Sequence, residues 1–171
     1  LMTGKQAESI NNLNIALEKE PNNPLLHLIL AGSYDGMMAP KGPDGKELPR
    51  PANADSLFTK AETHYKKAIE LKPSAEYLYN ANLQLGAMYN NQAIYISNDF
   101  NKNVKITDLA RKQKEVDAKC DELIKKAVPY LEEATVLRPD DVSTLQALRK
   151  LYLRLGNEAK AAEISIKLNK G

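Results

Sequence analysis

The sequence predicts an all-α protein made of repeated helix pairs, because two spacings of small and bulky side chains recur along it and prolines follow the first of them. Ala61, Tyr65, Ala68 and Pro73 show this first spacing, with steps of 4, 3 and 5 residues. Steps of three and four residues place side chains on one stripe of a helix. Small residues in the stripe let a second helix approach to about 8–10 Å, and the proline ends the helix.

Copies of both spacings cover most of the chain. The first spacing recurs at Ala127, Leu131, Ala134 and Pro139, at Ser9, Leu13, Ala16 and Pro21, and, without its proline, at Ala161, Ser165 and Leu168. The second spacing, with steps of 3, 1 and 3, follows each proline, at His27, Leu30, Ala31 and Tyr34, at Asn82, Leu85, Gly86 and Tyr89, and at Leu145, Leu148, Arg149 and Tyr152. The repeated unit is therefore a helix, a turn, a second helix and a proline.

These alternating stripes, together with the helix ends ELKP and LRPDD, resemble the tetratricopeptide-repeat (TPR) family over nearly the whole chain. The resemblance implies a right-handed α-solenoid of helix-turn-helix repeats with one elongated helical hairpin. Within a single domain 1–171, it implies a truncated repeat 1–22, a repeat 23–74, an elongated repeat 75–140 and a repeat 141–171. Arg149 stands where the family usually has a small residue, which predicts looser packing there. The alternative is an unrelated helical bundle with chance spacing.

A proline- and glycine-rich insertion at 36–54 interrupts the repeat 23–74. Its prolines and glycines exclude a helix, and Pro43-Asp44-Gly45 is typical of a turn. The sequence predicts a long surface loop, either a lid or a neutral insertion. Asp55 or Ser56 is expected to cap the next helix.

The insertion in the repeat 75–140 has the opposite character. Apolar side chains with a seven-residue period form two stripes, which predict long helices near 75–97 and 108–137 that pack antiparallel. Residues 97–106 are expected to join them, and Thr107 or Asp108 to cap the second helix.

The compartment and the extent of the protein are suggested by a finer resemblance. NQAIYISN, a charged helix and KKAVPYLEEATVLRPDD are together similar to the C-terminal region of secreted or envelope TPR proteins of gut-type anaerobic bacteria. This favours a bacterial periplasm or cell envelope. Because the first repeat lacks its partner helix, we expect a C-terminal piece of a longer protein, with any signal sequence upstream. Ile10, Leu13 and Leu17 of a helix at 5–19 would then be exposed, or covered in a homodimer or crystal contact.

Several function classes are disfavoured by composition. With 24 basic and 22 acidic side chains the net charge is +2, so we expect no nucleic-acid partner. No apolar run reaches the length of a membrane span, so we expect no membrane insertion. His27 on a packing stripe and His64 on an outer face lack metal-site partners, and Cys120 is expected to be a buried apolar group. The sequence predicts no catalytic residue, no metal site, no cofactor and no enzyme.

Acidic pairs along the chain are interpreted as structural. Asp140-Asp141 is expected to cap a helix, and Glu132-Glu133 to lie on a solvated face.

The TPR resemblance implies a concave groove lined by the first helix of each repeat. The candidate groove residues are Asn80, Gln84, Asn91, Gln146, Lys150 and Arg154, and Leu28 and Asp35 would line the groove from the first helix of the repeat 23–74. Asparagine and glutamine can hydrogen-bond a peptide backbone in both directions, and Lys150 and Arg154 would favour a carboxylate. The alternative is ordinary surface polarity. Leu28 and Gly32 replace the Lys and Asn that the chaperone-binding TPR clamp needs, which disfavours a co-chaperone.

The sequence therefore predicts a scaffold that binds a protein or peptide. The alternative is a structural assembly component of a bacterial envelope complex, docking through the elongated hairpin. An exposed apolar strip on the hairpin would favour that alternative. Convergent polar groups in a pocket would favour an enzyme, and the sequence identifies none.

Overall fold

The structure, a computed structural model, describes residues 4–41, 44–46, 48–104 and 109–169. These ranges form seven α-helices and no strand, which confirms the all-α class. In chain order they are α1 (Gly4–Lys19), α2 (Pro24–Met38), α3 (Ala54–Glu70), α4 (Ala75–Asn103), α5 (Leu109–Leu137), α6 (Val142–Arg154) and α7 (Glu158–Leu168). The chain divides into two compact units, residues 1–84 and 85–171.

Side-chain caps fix where several helices begin. The Asn23 side chain accepts hydrogen bonds from two backbone N–H groups in the first turn of α2, at 3.0 and 3.3 Å. Pro24 then supplies a first helical residue with a suitable φ. The Asp141 carboxylate accepts from two N–H groups of α6 in the same way, so the cap predicted at Asp140-Asp141 is confirmed.

The residue at which α3 begins differs from the prediction. The expected cap at Asp55 or Ser56 is wrong, because the helix already begins at Ala54. The Ala54 N–H donates to the Pro51 carbonyl at 3.0 Å, and the Ala54 methyl is buried. Local packing therefore moves the start of the helix upstream, and the Asp55 charge lies in the first turn, where the helix dipole favours it.

The core of the first unit is made where α1 packs on α2 and α2 packs on α3. Both predicted stripes are buried within it: Leu30, Ala31 and Tyr34 from α2, and Ala61, Tyr65 and Ala68 from α3. Ile10 of α1 is buried as well, while Leu13 and Leu17 are half-buried. The expectation that this α1 stripe would be exposed is thus wrong for Ile10, because α2 covers it.

The loop between α2 and α3 is shorter than the predicted insertion 36–54. Helix α2 continues to Met38, whose side chain is buried, so the loop begins at Ala39. Pro43 lies outside the described residues. At the other two predicted turn positions, Asp44 accepts a hydrogen bond from the Lys46 N–H at 3.1 Å and Gly45 has a φ of 76°.

Helices α4 and α5 meet within the second unit. A Cβ added to Gly86 would stand 2.7 Å from Leu131 Cγ and 3.3 Å from the Ala127 carbonyl oxygen. Further along, the Cys120 Sγ donates to the Ala93 carbonyl at 3.3 Å. Later residues of α4 therefore contact earlier residues of α5, so the two helices are antiparallel, as predicted. Cys120 is fully buried, which was also predicted.

The linker of this hairpin begins later in the chain than predicted. Helix α4 does not end near residue 97 but continues to Asn103, whose side-chain amide donates to Asp99 at 2.9 Å one turn before. The remaining linker residues 105–106 and the predicted cap at Thr107 or Asp108 lie outside the described residues.

The second unit is completed where α5 packs on α6 and α6 packs on α7. Leu145, Leu148 and Tyr152 of α6 are buried, and Gly156 makes the turn into α7 with a φ of 71°. Arg149 is half-buried, and its Nε is enclosed without a hydrogen-bond partner among the described residues. A large polar side chain thus occupies the stripe position where a small one was expected.

Candidate functional site

A cavity of about 520 Å³ opens within the first unit. We call it the Asp35 cavity. It is lined by Leu28, Gly32, Asp35, Gly36, Ala39, Tyr65, Asn80 and Gln84. Two of the six candidate groove residues, Asn80 and Gln84, and the two groove residues predicted on α2, Leu28 and Asp35, therefore line one space.

The helix period explains why these side chains share a wall. Leu28, Gly32 and Asp35 stand four and three residues apart on α2, and Asn80 and Gln84 stand four apart on α4. Glycine on the α2 wall keeps the space open. A Cβ added to Gly36 would meet nothing within 4 Å, and one added to Gly32 would come no closer than 3.7 Å to the Tyr65 hydroxyl.

Asp35 is the acidic group of this cavity. Its Oδ2 accepts a hydrogen bond from the Tyr65 hydroxyl at 3.4 Å. Burial raises the pKa of Asp35 to about 6, although the Tyr65 hydrogen bond works in the opposite direction. Burial and the nearby Asp35 charge also raise the pKa of Tyr65, so the phenol stays protonated. No lysine, arginine or histidine is among the eight lining residues.

The other four candidate groove residues lie in the second unit. Asn91 on α4 and Gln146, Lys150 and Arg154 on α6 are exposed. Lys150 and Arg154 stand one turn apart, but Arg154 already has an acidic neighbour, since its Nε lies 3.7 Å from Asp121 Oδ1. An exposed pair of this kind is worth roughly 0–1 kcal/mol, so Arg154 remains available to a ligand at small cost.

Two features near the first site were missed by the sequence reasoning. Tyr65 was identified only as a packing residue, yet its hydroxyl reaches Asp35 on the neighbouring helix. His64 was placed on an outer face, and this is wrong. It is half-buried, and its Nδ1 lies 2.9 Å from the Nδ1 of His27. No sequence signal could have paired the histidines, because they are 37 residues apart and lie on different helices.

The histidine pair also contacts the chain around it. The Nε2 of His27 lies 3.0 Å from the Pro21 carbonyl oxygen. The ring of His64 stacks on Tyr34 with centroids 5.9 Å apart, and the Lys60 Nζ lies 5.3 Å from that tyrosine ring. Burial, and then the charges of His27 and Lys60, lower the pKa of His64. The neutral imidazole is therefore the form that the fold prefers.

Glu132 in the second unit was expected on a solvated face, and its side chain is 38% exposed, but it also makes contacts that were not predicted. It is half-buried and accepts hydrogen bonds from the Tyr152 hydroxyl and from the Lys160 Nζ, the latter at 2.7 Å. Burial alone would raise the pKa of Glu132, but the two donors outweigh it and the pKa is lowered. Lys160 also lies 5.1 Å from the Tyr152 ring centroid. One carboxylate thus ties α5 to both α6 and α7.

Over the described ranges, no group of three or more histidine, cysteine, aspartate or glutamate side chains is arranged to hold a metal ion. None of the helices described has an apolar stretch long enough to cross a lipid bilayer. A comparison with protein-family models finds no match to the sequence, and a comparison with curated proteins finds none either.

Proposed function

We propose that this chain is a non-catalytic TPR-type module that holds a peptide segment of a partner protein, and that the Asp35 cavity anchors that segment. The observation that carries the proposal is the convergence of Asp35, Tyr65, Asn80 and Gln84 on one cavity with a glycine wall. Such a mixture of a few polar groups around an open space of 300–1,000 Å³ is typical of binding sites.

The kinds of polar group favour a peptide as the occupant. The amides of Asn80 and Gln84 each carry both a donor and an acceptor, which matches the N–H and C=O groups of an extended backbone. Leu28 and the Cα atoms of Gly32 and Gly36 supply apolar surface for a side chain. In a TPR solenoid, the arrangement that the repeat pattern favours, these helices would be the groove-lining ones.

Binding is favoured over catalysis by the composition of the cavity. Asp35 and Tyr65 could exchange protons with a ligand, but the lining has no serine, cysteine, lysine or histidine to act as a nucleophile. His27 and His64 are not among the residues that line the cavity.

Docking through the elongated hairpin is the less favoured function. On the hairpin beyond Gln84, the described large apolar side chains that are exposed are Ile94 and Tyr95 of α4 and Val136 of α5. Ile94 and Tyr95 are sequence neighbours and point about 100° apart on a helix of 3.6 residues per turn. Val136 lies far from them along the hairpin, because Ala93 meets Cys120, about four helical turns before Val136, so the three form no strip. Scattered exposed apolar residues are normal on protein surfaces.

The proposal can be tested with a phage-displayed library of random dodecapeptides, selected on the 171-residue chain. Gly36→Leu adds a side chain at a residue that lines the cavity, where a Cβ meets nothing within 4 Å. It also removes a helix-destabilising glycine, worth about 0.5–1 kcal/mol. The control variant is Asn14→Leu, which adds the same side chain at an exposed position of α1.

Selected peptides should bind the unmodified chain and Asn14→Leu equally, and should bind Gly36→Leu at least about tenfold more weakly by fluorescence anisotropy. The melting temperature of Gly36→Leu should be equal or higher. A library that yields no binder, or binders that tolerate Gly36→Leu, would contradict the proposed site.

A further inference from the structure

Building on the proposed function, we infer that the Asp35 cavity selects a basic side chain, lysine or arginine, of the bound peptide. The inference starts from the sign of the charges. The cavity presents one carboxyl group, one phenol and two amides, and no cationic side chain lines it. A cationic group is therefore the ligand that this set of oxygens is built to receive.

The carboxyl group of Asp35 lacks strong stabilisation from its own chain. It is half-buried, and its described hydrogen bond is the long one of 3.4 Å from the neutral Tyr65 hydroxyl. A carboxylate in such a position gains much from a cation that enters with the ligand, since charge-assisted hydrogen bonds are roughly twice as strong as neutral ones. The acidic group thus has one long hydrogen bond from a neutral donor in the free protein and would gain a charged donor in the complex.

The remaining lining suits the rest of a basic side chain. Leu28, Ala39 and the two glycines offer apolar surface for the methylene stem of lysine or arginine, which such side chains bury while keeping the charge on polar groups. The side-chain oxygens of Asn80 and Gln84 are further acceptors, and an ammonium or guanidinium group has several N–H donors to share among them.

Recognition by this carboxyl group should depend on pH. Besides Asp35, the cavity is lined by Tyr65, which is the one titratable residue among them, and by Leu28, Gly32, Gly36, Ala39, Asn80 and Gln84. Because the pKa of Tyr65 is raised, it stays neutral. With the Asp35 pKa at about 6, only about a tenth of the chains are ionised at pH 5, so affinity for a cation should fall about tenfold between pH 7.5 and pH 5.

The test compares peptides selected at pH 7.5 with variants of the peptide and of the protein. In each peptide, every basic residue is replaced in turn by norleucine, which keeps the methylene chain and removes the charge. In the protein, Asp35→Asn removes the negative charge with little change in shape. Asp55→Asn removes the same charge from an exposed position in the first turn of α3 and serves as the control.

Asp35→Asn should fold normally. The raised pKa means that Asp35 stabilises the fold below pH 3.8 and that this contribution is lost as the pH rises through about 6. A neutral side chain at this position should therefore leave the melting temperature at pH 7.5 equal or higher. A loss of binding in Asp35→Asn is then not caused by a loss of folding.

We expect one basic peptide residue whose replacement by norleucine weakens binding at least about tenfold at pH 7.5. That difference should shrink at pH 5, disappear in Asp35→Asn and persist in Asp55→Asn. A lysine preference that survives Asp35→Asn, or selected peptides without a required basic residue, would overturn this inference while the proposed function stands, provided that Gly36→Leu still blocks binding. Failure of every peptide to bind would overturn both.

Discussion

When both rings are neutral, the hydrogen between the Nδ1 atoms of His27 and His64 belongs to His64. The Nε2 of His27 lies 3.0 Å from the Pro21 carbonyl oxygen, which can only accept, so this nitrogen carries the hydrogen of a neutral His27. The Nδ1 of His27 is then an acceptor, and the Nδ1 of His64 at 2.9 Å must donate to it. The hydrogen bonds thus assign the tautomers of both rings and connect the turn before α2 with α2 and α3.

This arrangement predicts how stability depends on acid. The pKa of His64 is lowered, so the unfolded chain binds a proton more readily than the folded chain does as the pH falls below 6.5. His64 therefore contributes to the stability of the fold above pH 6.5, and this contribution is lost as the pH falls below that value. Asp35 acts in the opposite direction, so urea unfolding should be compared between the unmodified chain and His64→Gln at pH 7.5 and pH 5.5.

The loss of stability on acidification should be smaller in His64→Gln than in the unmodified chain, because glutamine does not titrate. Asp35 is present in both proteins and its contribution cancels in the difference. Equal losses in the two proteins would show that the buried imidazole does not resist protonation.

Leucine at two helical glycines should have opposite effects. Gly86 lies against α5, where a Cβ would stand 2.7 Å from Leu131 Cγ, whereas a Cβ at Gly36 would meet nothing within 4 Å. Gly86→Leu should lower the free energy of unfolding by about 1–3 kcal/mol through overpacking. Gly36→Leu should raise it by about 0.5–1 kcal/mol through helix propensity. Urea denaturation of both variants tests this, and similar values for the pair would refute the close crossing at Gly86.

Removal of the Tyr152 hydroxyl should loosen the three-helix junction around Glu132. Tyr152→Phe keeps the buried ring and leaves Glu132 with the Lys160 hydrogen bond at 2.7 Å. We expect a loss of about 0.5–1.5 kcal/mol by chemical denaturation, the usual net contribution of one hydrogen bond. Tyr77→Phe, at an exposed tyrosine of α4, is the matched control and should be neutral.

Charge reversal should have different effects on stability at Lys150 and at Arg154 of α6. In the unmodified chain, Asp121 Oδ1 lies 3.7 Å from the Arg154 Nε. Arg154→Glu places a second carboxylate beside Asp121 and should lower the free energy of unfolding by up to about 1 kcal/mol. Lys150 has no ion pair in the described part of the chain, so Lys150→Glu should leave the free energy of unfolding unchanged within about 0.5 kcal/mol. If so, Lys150→Glu is the better probe of partner binding on α6, and equal costs for the two variants would contradict the Arg154–Asp121 pair.

The sequence could predict the helices and their buried stripes because both depend on a local period. Ala61, Tyr65 and Ala68 are buried as their 4-3 spacing predicts, and Gly86 meets α5 where a small residue was expected. Helix ends were less predictable. Helix α3 begins at Ala54, whose methyl group is buried by contacts that no local pattern predicts. Helix α4 continues to Asn103 through a segment with three asparagines, a residue type that locally favours turns.

The site could be predicted only as far as single helix faces. Spacing put Asn80 and Gln84 on one stripe of α4 and Leu28 and Asp35 on one face of α2. That Tyr65 of α3 would reach Asp35, or that His64 would meet His27, depends on how helices cross, and no local pattern contains that information.

Because glycine forms part of its wall, the Asp35 cavity can be made shallower by substitution. Alanine, serine or a longer residue at position 36 fits the helix and meets no neighbour at its Cβ. Substitutions at position 36 could therefore give a series of variants with graded cavity volumes, each retaining the carboxyl group of residue 35. Ligand preference could then be varied without changing the buried core.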